Sequence, residues 1–202
     1  MITLALDTST ERGSLAVLQD DRLVVEQTFA RGGLFPALEK LNPGKLDAIL
    51  VGVGPGSFTG IRAGIAAAKG LALPASTSVT GLSSFDALAL VAAPHMPADC
   101  ELMCVLADAR RGEVYFTLHT RQGHRQGPHH IGPLETIADE VHDPIWFVSA
   151  EIERFRDALK ECFGGFAVAC AHPFYPRAAL LAGSSFPLEP LYLRPTEYKK
   201  TV

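Results

Sequence analysis

No apolar run in this sequence approaches the roughly 18 residues needed to cross a bilayer. The opening MITLALDTST also lacks the basic start and the small-residue cleavage site of a secretory leader. These two absences point to a cytoplasmic protein with no membrane contact. Positive charge is sparse as well. The formal net charge is −4, shared by both halves of the chain, and beyond Lys199-Lys200 no basic block stands out. Neutralising phosphates takes clustered Lys and Arg, so unaided nucleic-acid binding is disfavoured. Cysteine supplies no metal framework. Cys100, Cys104, Cys162 and Cys170 are spaced C-x3-C and C-x7-C, in or beside apolar runs, and read as buried thiols. The histidines contain no H-x3-H and no HExxH, and G-x-S-x-G is missing. Neither a metallopeptidase nor a serine hydrolase can be assembled from such spacing. The histidines read as exposed loop residues, and His129-His130 would point to opposite faces of any strand.

What remains is an ordinary globular composition, 48% hydrophobic and 20% charged. The runs ITLALD (2–7), SLAVLQ (14–19) and RLVVEQTF (22–29) are joined too closely to be parallel, and a meander is the natural arrangement. A short helical segment at 34–41 precedes LDAILVGV (46–53), an apolar run typical of a strand buried on both faces. A helix over 57–71, a strand near 76–80 and a helix near 83–92 close the first half at Pro94 and Pro97.

The pattern then restarts. LMCVLAD (102–108) matches ITLALD as an apolar strand ending in Asp, and GEVYFTLH (112–119) again opens with Gly. A third, less apolar stretch leads to a helix (134–142), a strand (145–148) and a helix (152–162). Strand-Asp-turn-Gly-strand, once per half, indicates an internal duplication. The expected architecture is α/β, with two lobes dividing at residues 98 and 99.

Several motifs carry chemistry. Asp7-Thr8-Ser9-Thr10 ends the first strand, and its acid and hydroxyls suit magnesium and phosphate oxygens. An Asx or Ser/Thr turn explains the same residues. The stretch GVGPGSFTGIRAG follows a buried strand and opens a helix, with Gly52, Gly54, Pro55 and Gly56 shaping a loop and Ser57 as N-cap. It lacks the lysine of a P-loop, and Ser57 stands where G-x-G-x-x-G needs its third glycine. Two mid-helix glycines, Gly60 and Gly64, imply close approach of another backbone: the chain's own sheet, its first helix, or a second subunit. The first helix is short and leaves part of this surface bare, which favours a partner. The candidate interface is Phe58, Thr59, Gly60, Ile61, Arg62, Gly64, Ala67 and Ala68, with Leu34 and Leu38. Lastly, Asp108, Arg110, Arg111 and Glu113 surround a tight turn, either as a cluster facing an interlobe cleft or as a solvated hairpin tip.

Taken in order, MITLALDTST, LDAILVGVGPGSFTGIRAGIAAAKGLAL, VLADARRGEVYF and PLYLR resemble the bacterial TsaB (YeaZ) family across nearly the whole chain. The resemblance implies a duplicated ASKHA fold, the actin/Hsp70/sugar-kinase architecture. It also implies a part in making threonylcarbamoyladenosine at position 37 of tRNAs that read ANN codons. TsaB proteins are similar to a catalytic paralogue, TsaD, which holds a metal through H-x3-H. Without that motif, this chain is expected to be a non-catalytic scaffold pairing with TsaD, joined by the ATPase TsaE, and a homodimer when alone. It would meet tRNA only through the complex. No cofactor is expected to be required, although ATP or ADP with magnesium could be shared at the interface. On this reading Asp7, Thr8, Ser9, Thr10 and Asp108 are remnants of a nucleotide site. The enzymatic alternative is an ASKHA-type phosphotransferase or ATPase using Asp7, Thr8 and Ser9 with magnesium; a metal-dependent M22-like glycoprotease is discounted, because the chain supplies neither a protease nucleophile nor a metal pair. Family members usually carry a longer first helix than RGGLFPALEKLNPG allows.

Overall fold

The structure, a computed structural model, describes residues 1–139, 144–191 and 193. Its two five-stranded sheets repeat one design. The first contains β1 (Ile2–Asp7), β2 (Arg12–Gln19), β3 (Arg22–Ala30), β4 (Ala48–Gly52) and β5 (Ser78–Leu82), ordered β3-β2-β1-β4-β5. The second contains β6 (Leu102–Arg110), β7 (Glu113–Thr120), β8 (Arg125–Pro133), β9 (Ile145–Val148) and β10 (Ala167–Ala169), ordered β8-β7-β6-β9-β10. Strand for strand the orders coincide. In each sheet the first three strands form an antiparallel meander and the last two add in parallel. The duplicated ASKHA-like α/β fold is therefore present.

Strand alternation decides what covers each face of the first sheet. Leu4 and Leu6 of β1, Leu15 and Val17 of β2, and Ile49 and Val51 of β4 form one face. Over it lie α1 (Leu34–Leu41), through Leu34 and Leu38, and α2 (Phe58–Ala72), through Ile61, Ile65 and Ala68. The opposite face offers Ala5 and Ala16, and such small side chains admit a tight layer containing Ala87, Ala178 and Leu181. Ser57 caps α2, its hydroxyl accepting from the Gly60 N–H at 3.4 Å.

Two segments cross between the sheets. Although α3 (Ser84–Ala92) follows β5, it buries Phe85, Leu88, Ala89 and Ala92 in the core of the second sheet, with Met103, Leu106, Trp146 and Phe147. Conversely, the chain beyond β10 leaves that core at Phe174 and returns to the first sheet. There the Ala178 N–H donates to Ser14 Oγ at 3.0 Å and Arg177 pairs with Glu26. Farther on, the N–H groups of Phe186 and Leu191 donate to the carbonyls of Gly81 and Val53, each at 2.9 Å. The expected division at residues 98 and 99 lies between the sheets, and both segments cross it.

Some expectations need correction. The helix anticipated over 134–142 is a 3-10 helix at Leu134–Asp139, and residues 140–143 lie outside the described residues. The three-residue strand β10 was not anticipated, nor was the returning strap. Of PLYLR, Tyr192 and Arg194 lie outside the described residues, as do Lys199 and Lys200. No described helix is long and apolar enough to cross a membrane. The cysteines are free, with Cys100, Cys104 and Cys170 buried.

Candidate functional site

β1 delivers Asp7 to a fully buried position at its end. Oδ1 accepts from the Ser9 N–H at 2.8 Å and from its hydroxyl at 2.6 Å, which is the Asx-turn reading of D-T-S-T. Oδ2 is pressed against β4, where a Cβ on Gly52 would lie only 1.9 Å from it. No aligned donor reaches that oxygen. Burial pushes the Asp7 pKa up, and the nearby hydroxyls of Ser84 and Ser9 offset this only in part.

The rest of the turn is equally committed to the chain's own packing. Thr8 donates its hydroxyl to the Gly60 carbonyl at 2.8 Å. A Cβ on Gly60 would stand 2.1 Å from the Thr8 carbonyl oxygen, and one on Gly64 would stand 2.4 Å from Thr8 Oγ1. The glycine notch of α2 thus receives the β1–β2 turn of the same chain. The expectation that a partner's backbone explains these glycines is corrected accordingly. Gly56, at φ +149°, lies against Ser9, whose carbonyl accepts the Ser57 N–H at 2.7 Å. Backbone fills the glycine-rich loop from within.

Between the lobes lies a cleft of about 340 Å³. Pro55, Gly56, Ser57, Phe58 and Thr59 line it from the loop and the start of α2, facing Phe85 and Leu88 of α3 and Leu106 and Tyr115 of the second sheet. Of the turn, Ser9 and Thr10 reach it, while Asp7 and Thr8 do not. Asp108 and Arg110 line it, and Arg111 and Glu113 do not. The Asp108 carboxylate is paired with Arg154 at 2.7 Å and Arg110 at 3.1 Å. Glu11 on the rim accepts from the Tyr175 hydroxyl at 3.0 Å, and Arg31 and Glu151 complete the charged lining.

This arrangement does not fit a magnesium nucleotide. The acid that would meet the metal is sealed away from the cleft, and its neighbour Thr8 is bonded to Gly60. The lining cations Arg31 and Arg110 face three acids, Glu11, Asp108 and Glu151, leaving no surplus positive charge for a polyphosphate.

The histidines also need correction. His119 is fully buried on β7, with Nε2 at 3.1 Å from Asp86 Oδ1, and Arg125 Nε also lies 3.1 Å from that oxygen. Half-buried His129 on β8 has Nδ1 at 2.6 Å from the Thr117 hydroxyl, and burial lowers its pKa to about 4. Strand positions packed against α3 and Phe186 account for this; an adjacent His pair reads as loop only when its strand goes unrecognised.

Of the candidate interface, Leu34, Leu38, Ile61, Gly64, Ala67 and Ala68 are buried in this chain's own core and Gly60 is half-buried, so they cannot form an outer surface. Phe58, Thr59 and Arg62 do face outward, joined by Ala63, Ala66 and Gly70. Large apolar groups flank them: Phe35 of α1 is 67% exposed, Phe58 48% and Leu73 78%. Phe35 and Leu73 were missed, although Phe35 directly follows the inward-facing Leu34 and so had to leave the core side of a helix.

A family profile described as TsaD, tRNA N6-adenosine threonylcarbamoyltransferase, matches residues 36–143. The chain is similar to the tRNA threonylcarbamoyladenosine biosynthesis protein TsaB of Escherichia coli, with 34% identity over 165 residues, covering 75% of this chain and 69% of that protein. An uncharacterized protein of Mycobacterium tuberculosis is 31% identical over 215 residues, covering 97% and 93%. Among solved structures, a Pseudomonas aeruginosa protein described as similar to peptidase YeaZ superposes with a TM-score of 0.75 at 27% identity, covering 96% of this chain and 99% of that one. YeaZ from the same organism gives 0.72 at 28% identity, covering 89% and 88%.

Proposed function

This chain belongs to the TsaB (YeaZ) family, and we propose that it is an accessory subunit in threonylcarbamoyladenosine biosynthesis, pairing with TsaD and doing no transfer chemistry itself. The observation that carries this reading is the outward side of α1 and α2, where Phe35 and Phe58 stand exposed beside Ala63, Ala66 and Gly70, with Leu73 exposed just past the end of α2. Large aromatic and aliphatic side chains left exposed along helices are a mark of an association surface. The inward-turned Asp7 supports the non-catalytic part, because a group locked behind Gly52 and Ser84 cannot reach a substrate in the cleft. TsaE joins the pair in this scheme, and tRNA is met only through the assembly, in the cytoplasm. The chain's net charge of −4 agrees with indirect contact to tRNA.

Co-expression with TsaD followed by size-exclusion chromatography tests the proposal. Wild type should co-elute with TsaD, and a Phe35→Ser/Phe58→Ser double variant should elute alone while keeping its melting temperature. Separate elution of the wild-type proteins refutes the pairing. Turnover of Mg-ATP by the isolated chain, abolished in Asp7→Asn, would refute the non-catalytic role.

A further inference from the structure

We infer that the returning strap is an interlobe clasp that keeps the cleft at one width. Each lobe holds one aromatic residue of the strap, and each does so with an arginine.

The first grip lies where the strap leaves the second core at Phe174. The next residue already belongs to the first lobe: the Tyr175 hydroxyl donates to Glu11 at 3.0 Å, and the Arg12 guanidinium lies 5.6 Å from the centre of its ring. The second grip is the reverse. Phe186 is bonded through its N–H to Gly81 of the first sheet, yet its ring is held by the second. Arg125 lies 5.4 Å from the ring centre, and the His129 ring 5.7 Å from it.

Arg125 is itself fixed. Its Nε stands 3.1 Å from Asp86 Oδ1, which His119 Nε2 also approaches to 3.1 Å, and its Nη1 donates to the Gly127 carbonyl at 3.2 Å. Asp86 is buried on α3, and parting such a pair leaves a buried charge uncompensated. The guanidinium plane therefore stays against Phe186. The strap also passes close to the acid, since a Cβ on Gly183 would lie 3.6 Å from Asp86 Oδ2.

Two-lobed proteins close a cleft by rotating about a few chain positions that absorb the change in φ and ψ. Here rotation must drag the strap. It has to part Tyr175 from Glu11, Arg177 from Glu26 and the Ala178 N–H from Ser14, or else pull Phe186 from Arg125 and His129. The cleft walls include the crossing segments themselves, Phe85 and Leu88 from α3 and Pro176 from the strap. Width and clasp are thus one feature.

The test uses the full chain, spin-labelled at the exposed positions Lys45→Cys and Lys160→Cys in a Cys162→Ser background. Double electron–electron resonance should give one narrow interlobe distance, and a Tyr175→Ala/Phe186→Ala variant should broaden it. Hydrogen exchange should quicken about tenfold or more across residues 183–191 in Arg125→Ala. Arg125→Lys keeps a charge for Asp86 but loses the flat stack on Phe186, so its strap should exchange at an intermediate rate. Circular dichroism reports whether each variant folds. Should the double alanine variant not fold, Arg125→Lys/Tyr175→Phe is read in its place. A broad or two-peaked distance in the wild-type protein overturns the inference. So does a folded clasp variant that keeps the narrow distance. Neither result alters the expected pairing with TsaD, which is measured separately.

Discussion

Adding one methyl group at Gly60 should normally help a helix, since alanine is favoured over glycine by about 1 kcal/mol. Here it should hurt. The new Cβ would stand 2.1 Å from the Thr8 carbonyl oxygen and 3.3 Å from Ser57 Oγ. Thr8 cannot withdraw freely, because it is buried and its hydroxyl is bonded to the Gly60 carbonyl at 2.8 Å. Relief requires the first turn of α2 to lift from the β1–β2 turn. Overpacking of this kind costs about 1–3 kcal/mol, and the lost hydrogen bond costs about 1 more. After the propensity gain of about 1 kcal/mol is subtracted, the net loss is about 1–3 kcal/mol. For a chain of this length that lowers the melting temperature by about 2–12 °C. Gly64→Ala should cost less, because its neighbour at 2.4 Å is the Thr8 hydroxyl, which can rotate. Gly70→Ala is the control. Nothing lies within 4 Å of its added Cβ, and it should stabilise by up to about 1 kcal/mol. Scanning calorimetry on the three variants gives the order directly. If Gly60→Ala melted at or above wild type, the packing of Thr8 into the α2 notch would be refuted.

Asp7→Asn should stabilise the protein at neutral pH by about 1–3 kcal/mol, the cost of leaving a buried polar oxygen unmatched. The sign follows from the raised folded pKa. Above the ordinary aspartate value of 3.8 the unfolded chain has lost a proton that the folded chain still holds, so stability falls as pH rises toward the folded pKa and stays low beyond it. Urea titrations from acidic to neutral pH should show that decline in wild type and not in the variant. Gly52→Ala should destabilise strongly, its Cβ falling 1.9 Å from Asp7 Oδ2, and Asp7→Ala in the same chain should restore part of the loss. His129 behaves oppositely to Asp7. Its pKa drops from 6.5 to about 4 on folding, so its contribution is complete above 6.5 and disappears as pH falls through that window. His129→Asn should flatten the dependence of melting temperature on pH between those limits, and an unchanged slope would contradict the assignment.

Much of the fold could be read in advance because the first three strands of each half are long, apolar and closely joined, which forces a meander. The repeat was visible through Asp7 and Asp108, each closing an apolar strand. β10 escaped notice because three residues, Ala167–Ala169, give no usable periodicity, and the strap escaped because it docks through scattered residues, such as Ala178, Leu181 and Phe186, that follow no helix or strand period. For the site, sequence identified the right loop and helix but not their orientation. A glycine notch looks the same whether an internal turn or an outside subunit fills it, and only the position of Thr8 decides. The buried and exposed sides of α2 were confused for that reason. Ala67 and Ala68 face inward while Ala63 and Ala66 face outward, and alanine signals neither. Asp7 was placed correctly at the strand end, but its inward direction depends on Gly52, a residue 45 positions later in the chain.

The crossed connections make the molecule indivisible despite its internal repeat. Severing the chain in the Pro97–Cys100 link would produce one fragment with the apolar side of α3 bare, and another with no α3 and a strap that has nothing to lie on. Neither fragment should hold its native form alone, yet the two mixed together should recombine, each supplying the wall that the other is missing.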